Sequence, residues 1–169
     1  RILHHHPEAE IVSVTGRSAA GNQLGEVLPH LADLKITVQP ELSGTLDVVF
    51  SALPQVASAE ACVPLVKSGI KVIDISADFR LKDPEAYKEW YNADHPSPDL
   101  LKESVYGLTE LNKDEISSAN LIANPGCYPT GAILALAPVI KEGLVSEKII
   151  IDAKSGVSGA GRGFSLGTH

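Results

Sequence analysis

The segment Asn124-Pro125-Gly126-Cys127-Tyr128-Pro129-Thr130-Gly131 places one of the chain's two cysteines where a strand should hand over to a helix. Leu121-Ile122-Ala123 before it has the content of a strand, and the apolar run 132–140 after it has the length and content of a buried helix. A thiol in the first turn of a helix lies near the positive end of the dipole and beside amides the helix leaves unpaired. Such an environment favours thiolate, and with it nucleophilic chemistry. Asn124 and Gly126 suit a tight turn that brings backbone close to a ligand, and Pro129 suits an opening helical turn. The competing reading is a small buried hydrophobe, the common state of a free cysteine.

In an open parallel sheet, ligands sit beyond the carboxyl ends of the strands, which singles out further loops. In Gly16-Arg17-Ser18-Ala19-Ala20-Gly21, Arg17 and Ser18 stand where an acidic residue would read a free ribose 2′-hydroxyl. Their charge and donors suit a 2′-phosphate instead, the alternative being a solvated turn with a surface arginine. Ser51, Ala52, Leu53 and Pro54 end the most apolar strand with small residues, open to the approach of a flat ligand. Asp78 and Arg80, in Ser76-Ala77-Asp78-Phe79-Arg80, are expected to pair with each other structurally. The loop from Ser155 through Gly156, Ser158, Gly159 and Arg162 to Gly163 combines exposed amides with a cation, a plausible anion cradle. It is not a Walker motif, because Lys154 precedes the glycines. His30, His95 and His169 read as surface or structural residues rather than as general bases. The consecutive His4, His5 and His6 point in different directions, so no metal site is expected.

The elements that position these loops are strands at 10–15, 35–39, 47–52, 71–76, 121–123 and 148–153. The strand at 47–52 is nearly continuous apolar sequence, as expected for one buried on both faces. Helices are expected at 55–68, bent or broken by Pro64 and stopped by Gly69, at 84–91, and at 113–118 with Asn112 as cap. Residues 81–111 read as an ordered excursion over the sheet edge. Strands alternating with helices predict an α/β fold with a doubly wound parallel sheet.

With 169 residues the chain is long enough for one good core or one domain plus part of another. A net charge of −7 without any basic run excludes a nucleic-acid partner. No apolar stretch reaches the roughly 18–20 residues of a membrane span, and no secretory signal opens the sequence. Cys62 and Cys127 lie in unlike contexts and suggest no disulfide, consistent with a cytoplasmic setting.

The cysteine turn and Ser155-Gly156-Val157-Ser158-Gly159-Ala160-Gly161-Arg162 resemble the two signature motifs of the N-acetyl-gamma-glutamyl-phosphate reductase family. Asp74-Ile75-Ser76-Ala77-Asp78-Phe79-Arg80 and Tyr106-Gly107-Leu108-Thr109-Glu110-Leu111 are similar to further segments of that family, in the same order. The likeness runs the length of the chain. In the related aspartate-semialdehyde dehydrogenases the cysteine follows an asparagine directly, unlike here.

The resemblance implies an NADP-dependent reductase of arginine biosynthesis acting on a small acyl phosphate, and a homo-oligomer. Cys127 would be the nucleophile that forms a thioester, and Asn124, Ser155, Gly156 and Arg162 would hold substrate. Arg17, Ser18, Ser51, Ala52, Leu53, Pro54, Ser158 and Gly159 would hold the cofactor. It further implies a Rossmann-like nucleotide domain over 1–123 without its first βα unit, and the opening of an α+β catalytic and dimerisation domain over 124–169. The family's glycine-rich turn would precede Arg1 and its acid–base histidine would follow His169, so this stretch alone is expected to be inactive. A reductase for the longer amino-adipyl phosphate of lysine biosynthesis shares these motifs. A cysteine hydrolase or acyltransferase, and a non-catalytic nucleotide-binding fragment, are the alternatives of another class.

Overall fold

Four short segments pair in parallel at the centre of the fold: β1 (Val48–Ser51), β2 (Lys71–Asp74), β3 (Val105–Tyr106) and β4 (Leu121–Ala123), in spatial order β1-β2-β4-β3. The computed structural model describes residues 1–145 and 148–160. Around the sheet lie α1 (Leu24–Val27), α2 (Ala57–Lys67), α3 (Pro84–Tyr91), α4 (Pro98–Glu103), α5 (Thr109–Ser118) and α6 (Cys127–Lys141). The architecture is a parallel α/β sheet with flanking helices, the Rossmann-like class expected. No helix among the described residues is long and apolar enough to cross a membrane.

Register decides which side chains form the core. Val49, Val72 and Leu121 fall in one cross-strand row, and Ser51, Asp74 and Ala123 in the next on the same face. All six are buried. Ala59 and Cys62 of α2 pack on this face with Phe79, Tyr87, Leu100 and Leu101. Residues 81–111 are therefore more than an excursion over the sheet edge, because α3 and α4 insert Tyr87, Leu100 and Leu101 into the main core. The local sequence explains α3. Asp83 accepts the Glu85 amide at 3.0 Å, Pro84 opens the helix, and Asn92 closes it in the left-handed conformation. In α2, Pro64 lies inside one continuous helix, and Gly69 with φ +88° ends it.

Other expectations give way where a segment lacks the neighbour its pattern needs. The strands expected at 10–15 and 35–39 reduce to one parallel bridge, Thr15 with Gln39, and one antiparallel bridge, Gln23 with Thr37. Alternation along a segment yields a strand only where a partner backbone runs beside it. β1 is not buried on both faces, since Val48 and Phe50 are 42% and 46% exposed on the side away from α2. β2 stops at Asp74 because its carboxylate accepts both the amide and the hydroxyl of Ser76 and turns the chain there. α5 starts at Thr109 rather than Lys113, and Asn112 is a non-helical kink within it. Its side-chain amide donates to Tyr106 O at 2.9 Å instead of capping a helix. α6 has the length expected of a buried helix but contains no buried residue. The strand expected at 148–153 is not formed, and Ile150 is 96% exposed, with no described strand alongside it.

The core has a direct consequence for stability. Leu101 is fully buried whereas Trp90 is 75% exposed. Leu101→Ala should lower the free energy of unfolding by about 2–5 kcal/mol, and Trp90→Ala should change it by no more than about 0.5 kcal/mol. Urea titration followed by circular dichroism measures both.

Candidate active site

The turns after β1, β2 and β4 leave the sheet at one edge, because the three strands run parallel and end in register. Backbone bonds continue the pairing past the strand ends: Ile75 N donates to Ser51 O and Asn124 N to Asp74 O, both at 2.8 Å. Three of the segments expected to carry chemistry are thereby brought together, namely 51–54, 76–80 and the cysteine turn.

Cys127 is the first residue of α6, with Gly126 as N-cap, and its side chain is exposed. Thr130 donates to Gly126 O through its amide at 3.0 Å and its hydroxyl at 2.8 Å, which fixes the first helical turn. No side chain caps α6, and no described group accepts from the amides of Cys127 or Tyr128. Two donors are thus available beside the thiol for a developing oxyanion. The other cysteine shows the contrast. Cys62 is fully buried in the core, where burial pushes its thiol up, away from the reactive thiolate.

Beneath this edge lies a buried polar network that sequence reading did not identify. Asp74 accepts from the Ser58 hydroxyl at 2.5 Å, and the Ser58 and Ser51 hydroxyls are 2.6 Å apart. Asp78 accepts the Val56 amide at 3.0 Å, the Ala59 amide at 2.8 Å and the Tyr87 hydroxyl at 2.8 Å. Burial and the bond to Asp78 both push the Tyr87 phenol up, keeping it a donor. Asp78 therefore caps α2 and does not pair with Arg80 as expected. Its two oxygens are already committed, while Arg80 turns to the carbonyls of Ile75 and Asn124. Val56, the N-cap of α2, is β-branched yet has φ +68°, a strained conformation held by its bond to Asp78. The available signal was Asp74 itself, a carboxylate inside an otherwise apolar strand.

The remaining expected residues separate into two groups. Gly16, Arg17, Ser51, Ala52 and Leu53 line one cavity of about 690 Å³ between the N-terminal segment and β1. Ser18 is exposed in the adjoining turn, and Pro54 uses its carbonyl to accept from Ser58 N. Asn124 turns its amide onto the Pro125 carbonyl at 3.1 Å. Ser155 is exposed, and Gly159 N closes a tight turn onto Gly156 O at 2.9 Å around Ser158. Among the described residues no hydrogen bond or ion pair joins this turn to Cys127. Arg162, Gly163 and His169 lie outside the described residues. Among the described residues no group of three histidines, cysteines or carboxylates is placed to hold a metal.

Among the described residues no hydrogen bond joins a histidine to Cys127. His30 lies in a short turn at Pro29–Leu31. His95 is buried edge-on against Phe79 and Tyr87, with ring centroids 5.0 and 4.9 Å away. Its Nδ1 accepts from Ser97 N at 3.1 Å, and its Nε2 has no partner among the described residues.

Comparison with known proteins gives concordant matches. Residues 1–119 match the family described as semialdehyde dehydrogenase, NAD binding domain. Residues 127–169 match that described as semialdehyde dehydrogenase, dimerisation domain. A protein of Dehalococcoides mccartyi is 49% identical over all of this chain and 54% of its own length. One of Pelotomaculum thermopropionicum is 50% identical over all of this chain and 50% of its own length. One of Acidithiobacillus ferrooxidans is 47% identical over 99% of this chain and 50% of its own length. All three are named N-acetyl-gamma-glutamyl-phosphate reductase. The chain spans about half the length of the curated relatives it matches.

The environment of His95 predicts a pH dependence. Burial pushes its imidazole below the ordinary value, opposed by the charges of Asp78 and Asp74. A lowered folded value means that the unfolded chain binds the proton more tightly. Stability is then complete above about pH 6.5 and declines as the pH falls below it, by at most about 1.4 kcal/mol per pH unit. Denaturant titrations between about pH 7 and 5.5 should show this slope, and His95→Gln should flatten it.

Proposed function

This chain belongs to the semialdehyde dehydrogenase family, and on that premise we propose that the protein is an NADPH-dependent N-acetyl-gamma-glutamyl-phosphate reductase of arginine biosynthesis with Cys127 as its nucleophile. The observation that carries the proposal is an exposed cysteine opening a helix at the carboxyl edge of a parallel sheet. Of this chain's two cysteines, Cys62 is sealed in the core and Cys127 is the one presented to solvent.

Cys127 Sγ attacks the carbonyl carbon of the acyl phosphate. The C–O bond to phosphate breaks, inorganic phosphate leaves with the bonding pair, and a thioester remains on Cys127. Charge developing on the carbonyl oxygen is met by the amides of Cys127 and Tyr128. When bound, the nicotinamide would supply a hydride to the thioester carbon; the C–S bond breaks, Cys127 leaves as thiolate with the bonding pair, and the semialdehyde is released. The residues of the cavity beside β1 fit such a group: Ser51 and Ala52 are small enough for backbone approach, and the exposed Arg17 offers a cation. Arg17 and Ser18, with no carboxylate beside them in that turn, favour a 2′-phosphate and hence NADPH over NADH. Leu53 and Pro54 complete this side of the cofactor site, with Ser158 and Gly159 assigned to it by motif. Asn124, Ser155, Gly156 and Arg162 are assigned to substrate in the same way.

The match of residues 127–169 to a dimerisation domain supports a homo-oligomer, with the nucleotide domain ending near Ala123 and the second domain starting at Asn124. A cytoplasmic location follows from the proposed pathway. The names of the relatives favour the acetylglutamyl over the amino-adipyl substrate.

In the full-length protein that carries this chain, Cys127→Ser should reduce turnover by at least about 10³-fold. NADPH affinity, measured by fluorescence titration, should stay within about threefold of the unaltered protein, about 0.7 kcal/mol. Turnover retained by the serine variant would overturn the proposal.

A further inference from the structure

We propose that Arg80 is the positioning residue for Cys127, a role that rests on the reading of Cys127 as nucleophile. Arg80 Nη2 donates to Ile75 O at 2.9 Å, just beyond β2, and Nε donates to Asn124 O at 2.9 Å, just beyond β4. One planar guanidinium thus ties two strand ends together, and the second anchor lies three residues before the thiol. The third nitrogen lies under the turn itself. A Cβ built on Gly126 would be 3.1 Å from Arg80 Nη1 and 3.4 Å from Pro129 Cδ. Gly126 has φ −72°, a backbone conformation open to any residue, so what crowds a side chain at this position is the close approach of Arg80, which would have to give by a few tenths of an ångström, and not the turn geometry.

The guanidinium is also unneutralised among the described residues. Asp78, the acid expected to pair with it, spends both oxygens on α2 and Tyr87. No ion pair to Arg80 forms among the described residues, and no described group accepts from Nη1. The charge reaches Tyr106 on β3, where it opposes the upward push of burial on that phenol. Arg80 therefore sits where the ends of β2, β3 and β4 converge on the cysteine turn. Lysine cannot replace it, since a single ammonium cannot present two fixed, coplanar donors to two carbonyls while lying flat beneath Gly126.

The test uses the full-length protein with Arg80→Ala and Arg80→Lys, read in two ways. Amide hydrogen exchange followed by mass spectrometry should show faster exchange in peptides spanning 121–131 and 71–77, with the 84–91 helix unchanged. Reductase turnover should fall about 10²-fold in kcat for both variants, as expected from misplacing a reacting group by about 1 Å. KM for NADPH should change little, and added methylguanidinium should restore kcat in Arg80→Ala. Unaltered exchange at the cysteine turn, or faster exchange across the whole chain without rescue, would overturn the proposal. If the unaltered protein shows no reductase turnover, the functional reading fails, and the exchange pattern alone decides the role of Arg80.

Discussion

Parallel pairing in register is the constraint on which the rest of the structure depends. Because Ser51, Asp74 and Ala123 occupy one cross-strand row, the three turns that follow leave the sheet at the same height and on the same edge. A one-residue slip of β4 would turn Leu121 and Ala123 away from the core and carry the cysteine turn out of reach of Arg80. Val72 and Leu121 of the apolar row make such a slip costly, since they share one core cluster with α2 and the core side chains of α3 and α4. Packing on one face thereby sets the geometry of the loops at the edge.

That edge carries buried charge, which only complete hydrogen bonding makes tolerable. Asp74 and Asp78 are both inaccessible to solvent; Asp74 is satisfied by Ser58 of α2 and by the neighbouring Ser76, and Asp78 by amides at the start of α2 and the hydroxyl of Tyr87. Their bonds fix the start of α2 and the turn after β2, so the loops near the thiol rest on a rigid base. The strain at Val56 is part of this arrangement, because the amide of this positive-φ residue is one of the two that Asp78 accepts. Cys62 and Cys127 show what the arrangement accomplishes, one thiol being sealed against the sheet and the other presented at a helix start beside amides from which no described group accepts.

Features with a local cause were legible in the sequence. The limits of α3 follow from Asp83, Pro84 and Asn92, and the cysteine at the start of α6 follows from the turn residues before it. Features that depend on distant partners were not. The segments at 10–15 and 148–153 have the composition of strands, yet pairing and not composition makes a strand. Asp78 and Arg80 look like an ion pair because they are two residues apart. Asp78 instead takes amides 19 and 22 residues away at the start of α2 and a hydroxyl nine residues away on α3, while Arg80 donates to carbonyls five residues away after β2 and 44 residues away on the cysteine turn. Arg17, Ser51, Ala52 and Leu53, which line one cavity, were singled out because strand-end loops converge by rule, and of the loops so chosen 51–54, 76–80 and the cysteine turn follow strands that end in register. The expected meeting of the Ser155 turn with Cys127 has no counterpart among the described contacts.

The central claim is that the exposed thiol at this edge takes up the acyl group. Full-length protein mixed with N-acetyl-gamma-glutamyl phosphate without nicotinamide cofactor, quenched in acid and mapped by peptide mass spectrometry, tests it directly. The account predicts an acetylglutamyl adduct on the peptide containing Cys127, removed by hydroxylamine as a thioester is. An adduct on another residue, or none on Cys127 while the unaltered protein turns over, would contradict it.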